Sequence, residues 1–245
     1  MKKIFIVILT LSAVLITASG CFMFDQPYNP LLEYDFGEMR LIQLEPPAEG
    51  QPIVTVHTTE GTFTAMLFPE YAPKTVENFI ERVNDGFYDE KPVFAISDGE
   101  FFLTGALNDE GTQGVTMDGR LIPNEYSVDL WPFKGSLMSF SGRPGYGDSR
   151  FFALGSKPFT DELSEELDAA VKQDGTRLFP KELIEAFSQN ENLAEAMCGY
   201  TIFGQVIDGF DVLDIILSAE TDSRTFRPLE DIIIEKIELS EYKGE

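Results

Sequence analysis

Two alternating runs, "PIVTVHT" and "GTFTAMLF", follow one another through the tight link "TEG". Apolar and polar residues trade places at every step, which is the period of a strand with one buried face, and the short Gly-containing link makes the pair a β-hairpin. A hairpin cannot bury its apolar face alone, so the rest of the chain must supply partner strands. Candidates follow at Pro92–Ser97, Glu100–Thr104, Gly135–Ser141 and Ser149–Ala153, with two more in "TIFGQVI" and "DIIIEKIEL". Many short strands and few helices predict a mainly β chain, an antiparallel barrel or sandwich.

The helices are few and placed at distinct points. One is expected from about Ala72 to Asp85, with Pro73 at its first turn, an apolar stripe of Val76, Phe79, Ile80 and Val83, and Gly86 as its stop. A second is expected at about Asp211–Ser218. Between two strands, residues 155–199 change character: "DELSEELDAAVKQ", "PKELIEAFSQ" and "ENLAEAM" read as acidic amphipathic helices, with Thr160 as a cap. This is an inserted helical segment, and a barrel whose strands a short loop could join should not need it.

The N-terminus is expected to lie outside the fold. "MKKIFIVILTLSAVLITASGC" has two lysines, an apolar run and small residues, the pattern of a secretory signal over 1–20. Its end resembles the lipobox of bacterial lipoproteins, which implies cleavage before Cys21 and lipidation of that thiol. Residues 21–51, acidic and proline-bearing, read as a tether with one possible strand in "MRLIQL", and 241–245 as a tail. With Cys21 lipidated, only Cys198 remains, so no internal disulfide can form; in "LAEAMCGY" it reads as a buried small hydrophobe. The single histidine, His57, sits in a strand with no second His or Cys nearby, which leaves no basis for a metal site or a Ser-His-Asp triad. No cofactor is expected. A formal charge of −24 argues against nucleic acid as a partner.

At the level of local words the chain resembles the cyclophilin-type peptidyl-prolyl isomerases. "GTFTAMLFPEYAPKTVENFIERVNDGFYD" is similar to that family's opening hairpin and first helix. "GSLMSFSGRPGYGDSRFFAL" is similar to its central strand pair, and "GYTIFGQVIDGFDVLDII" to its closing strand and last helix. The resemblance implies an eight-stranded antiparallel barrel capped by two helices over residues 52–240, with 155–199 inserted.

It also implies a chemistry. Rotation about an X–Pro bond is slow because resonance stiffens the amide. A catalyst needs an apolar pocket for the proline ring and a donor aimed at the twisted amide, but no nucleophile or metal. In the family a strand arginine in Phe-His-Arg supplies the donor, and a glutamine stands beside it. Laid on this chain without gaps, that word places Phe94 on the Phe, Ile96 on the Arg and Thr104 on the Gln, with Phe101 and Phe102 as pocket residues. Phe140 and Ser141 replace an Ala-Asn pair that binds substrate backbone. Arg150 replaces a second glutamine, Phe152 keeps a pocket phenylalanine, and Tyr200 stands where a histidine is common.

Apolar positions are kept and polar ones changed. Arg150 is the one candidate for a relocated catalytic donor, unless it pairs with a neighbouring carboxylate such as Asp148 or Glu100. The expectation is an isomerase by fold, impaired in catalysis; the alternative is a non-catalytic binder of proline peptides or a folding helper. A solute-binding lipoprotein is disfavoured, because the two α/β lobes usual in such proteins are absent from the pattern. Proline-containing peptides or unfolded envelope proteins are the expected partners, and an extracytoplasmic, lipid-anchored location on a bacterial membrane is the expected setting.

Overall fold

The hairpin forms as the alternation requires. In the computed structural model, which describes residues 36–244 apart from 38, 98, 173–174 and 195–198, β1 (Pro52–Thr58) pairs antiparallel with β2 (Gly61–Leu67). After α1 (Pro73–Asn84) come β3 (Lys91–Pro92), β4 (Ala95–Ser97) and β5 (Phe101–Thr104). Next are β6 (Ile122–Pro123), β7 (Ser136–Phe140), β8 (Tyr146–Gly147) and β9 (Arg150–Leu154), then two inserted helices, α2 (Asp161–Ala169) and α3 (Lys181–Gln189). The chain ends with β10 (Ile202–Asp208), α4 (Phe210–Leu217) and β11 (Ile233–Glu241).

Nine strands join in one antiparallel sheet, in the order β3-β11-β1-β2-β10-β7-β9-β5-β4, while β6 and β8 form a separate pair. The two ends of the large sheet, β3 and β4, are separated in sequence only by Val93 and Phe94. The sheet therefore curls until its ends meet in one chain segment. Val93 N–H bonds to the Ile232 carbonyl on one side, and Phe94 N–H to the Leu103 carbonyl on the other. With β3 and β4 counted as one interrupted strand, the nine become the eight expected.

The interior of the curl is one apolar cluster, including Val54, Phe63, Leu67, Ile96, Phe102 and Phe151. Helices α1 and α4 close it, through Val76, Phe79 and Val83 and through Leu213, Ile216 and Leu217. The start of α1 is capped from a distance: the Glu125 carboxylate accepts from Lys74 N at 3.1 Å, Thr75 N at 2.9 Å and Thr75 Oγ1 at 2.8 Å. A carboxylate is well suited to this place, since the first turn leaves its N–H groups without helical partners.

The inserted helices build a core of their own, but not from their own residues alone. Leu167, Leu178, Leu183 and Phe187 pack with Trp131 and Phe133, which lie outside the insertion, and with Phe36, Met39 and Leu41. Thr160 caps α2 as expected, its hydroxyl accepting from Leu163 N at 3.1 Å. The third helix expected there does not begin at Glu191. That stretch is extended, with Lys157 N bonded to Asn192 O and Leu193 N to Pro132 O. Glu195–Cys198, and with them the reading of Cys198, lie outside the described residues.

The stretch expected to be tether is packed into the body from Phe36 onward. "MRLIQL" is not a strand: it carries a 3₁₀ turn at Ile42–Leu44 that delivers Gln43 into the protein. There Gln43 Nε2 donates to Ser136 Oγ and Gln205 Oε1, both at 2.9 Å, and its Oε1 accepts from Trp131 N at 2.5 Å. The polar, proline-rich composition of this segment points to a tether; Gln43, which holds it to the body, makes only long-range side-chain bonds. The 1–20 signal, Cys21 and the first part of the tether lie outside the described residues.

Candidate functional site

An aromatic face lies on the outside of the curl where β9, β5 and β4 run side by side. Strand pleating decides what it contains. Register pairs Ala95 with Leu103 and Leu103 with Phe152, and these three belong to a second apolar cluster with Phe94, Met138, Phe140 and Phe101. Phe152 meets Phe101 at 5.4 Å between ring centroids and Tyr200 edge-on at 5.0 Å, while Phe140 lies 6.4 Å from Tyr200. These spacings are those of favourable aromatic pairs. Phe94, Phe101, Phe140, Phe152 and Tyr200 are thus brought together as the sequence suggested.

Ile96, Phe102 and Thr104 are not part of this face. Ile96 pairs with Phe102, and both lie in the interior cluster, 1% and 0% exposed, with Phe102 edge-on to Phe63. Thr104 is fully buried and its hydroxyl donates to the Pro92 carbonyl at 3.0 Å, across the seam of the curl. The physical reason is the break between β3 and β4. Val93 faces in, Phe94 and Ala95 both belong to the outer cluster, and Ile96 faces in again. Two consecutive outer residues shift the alternation by one, as a bulge does, so a gap-free reading from Phe94 puts Ile96 on the wrong side. The outer position of that strand is Ala95. Phe101 and Phe102 are neighbours on one strand, so only one of them can face outward; that signal was available in the sequence. Ala95, Leu103 and Met138 are the face residues the sequence reading missed.

Arg150 points outward but is fully engaged at its near side. It is 5% exposed, and its Nε and Nη2 donate to the two oxygens of Asp148 at 3.0 and 2.7 Å. Nη1 donates to the Gly111 carbonyl at 2.9 Å, and the guanidinium lies 5.0 Å over the Phe140 ring. Asp148 Oδ1 also accepts from Arg150 N at 2.9 Å. A paired, hydrogen-bonded buried charge of this kind costs about 3–5 kcal/mol when one partner is removed. Glu100 is not its partner; that carboxylate pairs with Lys157.

Ser141 is committed too: its hydroxyl oxygen lies 2.7 Å from the Tyr146 carbonyl, 2.9 Å from that of Arg143, and accepts from Arg143 N at 3.1 Å, fastening the turn before β8. Just before β9, the Tyr88 hydroxyl donates to the Ser149 carbonyl at 2.9 Å, and burial pushes that phenol far above its usual range. A separate cleft of about 440 Å³ lies elsewhere, lined by Leu44, Pro46, Pro47, Phe133, Lys134 and Phe210, among others; it contains none of the aromatic-face residues. Among the described residues, no group of His, Cys, Asp and Glu is placed to hold a metal ion.

The comparisons with known proteins agree with this frame. The model of the "Cyclophilin type peptidyl-prolyl cis-trans isomerase/CLD" family matches residues 53–239. A Streptococcus pyogenes protein named for phosphatase and peptidyl-prolyl cis-trans isomerase activities is 31% identical over 205 residues; the match covers 82% of this chain but only 42% of that protein. A Staphylococcus aureus protein named for peptidyl-prolyl cis-trans isomerase activity is 28% identical, with 79% of this chain and 94% of the relative covered. The crystal structure of a Cryptosporidium parvum cyclophilin-type isomerase superposes with a TM-score of 0.59 at 22% identity, covering 78% of this chain and 98% of its own, which shows likeness of fold. Sheet order, capping helices and family match converge: the chain belongs to the cyclophilin-type peptidyl-prolyl cis-trans isomerase family.

Proposed function

We propose that this protein binds proline-containing peptides on its aromatic face and accelerates their isomerisation weakly. The observation that carries the reading is the grip of Asp148 on Arg150. Lowering the barrier requires a donor that meets the amide only as it twists. On β4 and β5 the outward positions are Ala95, Ser97, Phe101 and Leu103; of these only Ser97 has a side-chain donor, and its hydroxyl is turned to the Glu100 carboxylate at 3.5 Å. Arg150, whose guanidinium lies over the Phe140 ring, already serves a carboxylate and a carbonyl. A pocket that holds the proline ring without bonding the twisted state binds both states about equally, which gives affinity with little rate. The related Cryptosporidium parvum enzyme was crystallised in the presence of the dipeptide Ala-Pro, which supports this ligand class.

The test is a peptide titration combined with an isomerisation rate by NMR exchange. Ala-Pro should bind weakly, Phe152→Ala should lose that binding by at least about tenfold, and the rate should rise little. A kcat/KM above about 10⁴ M⁻¹s⁻¹, the low end of ordinary enzymes, would refute the impairment.

The setting belongs to the same proposal: Cys21 is lipidated and holds the domain on the outer face of a bacterial cell membrane, where unfolded envelope proteins are its clients. Support comes from the "TASGC" ending of the apolar leader. Cys21→Ser should move the protein from the membrane to the soluble fraction; equal partition of both forms would end the idea.

A further inference from the structure

The loop after β5 supplies an inference that rests on reading the aromatic face as the peptide site. Residues 107–113 are bonded mainly to themselves. Leu107 N donates to Gln113 O at 2.8 Å and Gly111 N to Asn108 O at 3.0 Å. The Asn108 side chain accepts from Gln113 N at 2.9 Å and donates to Thr112 Oγ1 at 2.9 Å and Glu110 Oε2 at 2.7 Å. Such a loop, closed at its neck and filled by its own side chain, can move as a unit without losing its internal bonds.

Its ties to the body are of another kind. Gly111 is the buried residue at its tip, with φ of +75°, and lies so close to Phe94 that a Cβ there would stand 2.2 Å from the ring. Its carbonyl takes the Arg150 Nη1 bond at 2.9 Å. A backbone carbonyl on a guanidinium, with a bare Cα against an aromatic ring, is the set of contacts that an extended peptide would make in the same place. We propose that residues 107–113 form a lid whose Gly111 occupies, as an internal pseudo-ligand, the subsite for residues flanking the substrate proline, and that Arg150 is its latch. Closed, the lid leaves Phe94 8% exposed. Open, it uncovers the ring and one N–H of Arg150 for a peptide carbonyl, while Asp148 keeps the guanidinium in position.

Two variants test this. Replacing residues 108–112 by Gly-Gly removes the lid and leaves Arg150 in place. A peptide with proline at its centre should then bind about tenfold tighter, because affinity is reduced by the fraction of molecules that are closed. Ala-Pro, which reaches only the proline pocket, should bind unchanged. In the second variant, Arg150→Met with Asp148→Asn, the latch is removed without leaving a lone buried carboxylate. Hydroxyl-radical labelling of Phe94 should rise several-fold in it, with no peptide present. Long-peptide affinity unchanged by lid removal, or Phe94 labelling equal in wild type and latch variant, overturns the lid. Loss of Ala-Pro binding in every form, with Phe94 labelling still responding to the latch, refutes the aromatic-face reading and leaves the lid standing.

Discussion

Placing an arginine at Ala95 or at Ile96 separates two accounts of the missing donor. Gap-free reading of the sequence puts the family's arginine at Ile96, while the observed pleat puts the outward position at Ala95. Ile96 is 1% exposed inside the curl beside Phe102. Ile96→Arg forfeits the buried aliphatic side chain, about 2–5 kcal/mol by analogy with truncation, and buries a charge with no partner, several kcal/mol more. The total, about 5–10 kcal/mol, rivals the whole stability of an ordinary domain, about 5–15 kcal/mol. The variant should not fold.

Ala95→Arg extends instead into the outer cluster beside Leu103. It crowds that face at about 1–3 kcal/mol, which a folded domain tolerates. One preorganised donor is worth about 10²–10³ in rate. Far-UV circular dichroism melts and NMR exchange rates on a proline peptide should show Ala95→Arg folded and faster, and Ile96→Arg unfolded. A folded, accelerated Ile96→Arg would refute the pleat assignment. A folded Ala95→Arg with no gain in rate would mean that the frame around the donor is not retained.

Other outcomes follow from single contacts. Gln43→Leu keeps the volume but leaves Trp131 N–H without its acceptor, so the denaturation midpoint should fall by an equivalent of about 1–3 kcal/mol; no change would show that the segment from Phe36 is not fastened there. Phe187→Ala, fully buried among Trp131, Phe133 and Phe159, should cost about 3–5 kcal/mol within one cooperative transition, and a separate early transition would show that the insertion folds apart from the barrel. Asp222 accepts from Arg224 N, then from Thr225 N and its hydroxyl, and these bonds hold its carboxyl below the usual range. Its folded-state pKa is depressed, so its contribution is present above the ordinary Asp value near 4 and is lost as pH falls through the lower folded value. Protection of Ile96 N–H, which bonds to Phe226 O in that loop, should therefore weaken in acid in the wild type and not in Asp222→Asn; parallel profiles would count against this role for Asp222.

Much of the frame was legible because alternation and helix stripes are local signals. The first hairpin, α1, α4 and the presence of two helices between β9 and β10 came from period, caps and breakers alone, and the closed barrel from the resemblance. What failed was non-local. Gln43 fastens the N-terminal segment through residues 88 to 162 positions away, and no property of "MRLIQL" announces those partners. The helices α2 and α3, which the sequence reading takes as dispensable to the barrel, pack on Trp131 and Phe133 from outside residues 155–199, and nothing local in their sequence announces it. The site was misread by one pleat, because alternation propagates from a chosen residue and the break at Val93–Phe94 resets it. Phe94, Phe101, Phe140, Phe152 and Tyr200 still met on one face. Aromatic side chains on adjacent strands need only the right face to join a cluster, while a catalytic donor needs placement to about 0.5 Å.

That difference in tolerance also decides how Arg150 should be weighed. An arginine on the correct face looks like a rescued active site until its local competitor is counted. Asp148 precedes it by two residues and accepts its backbone N–H in a turn, so the carboxylate is delivered to the guanidinium by the fold itself. The two bonds it then makes join full opposite charges, whereas a carbonyl offers the guanidinium only a dipole, so the carboxylate is the stronger acceptor of the two. A substrate amide would have to displace the stronger, intramolecular partner to recruit that edge of the guanidinium. It can displace Gly111 at Nη1 far more readily, since one backbone carbonyl then replaces another. On the proposed reading, Arg150 therefore binds peptide backbone in ground and twisted states alike and does not favour the twisted one.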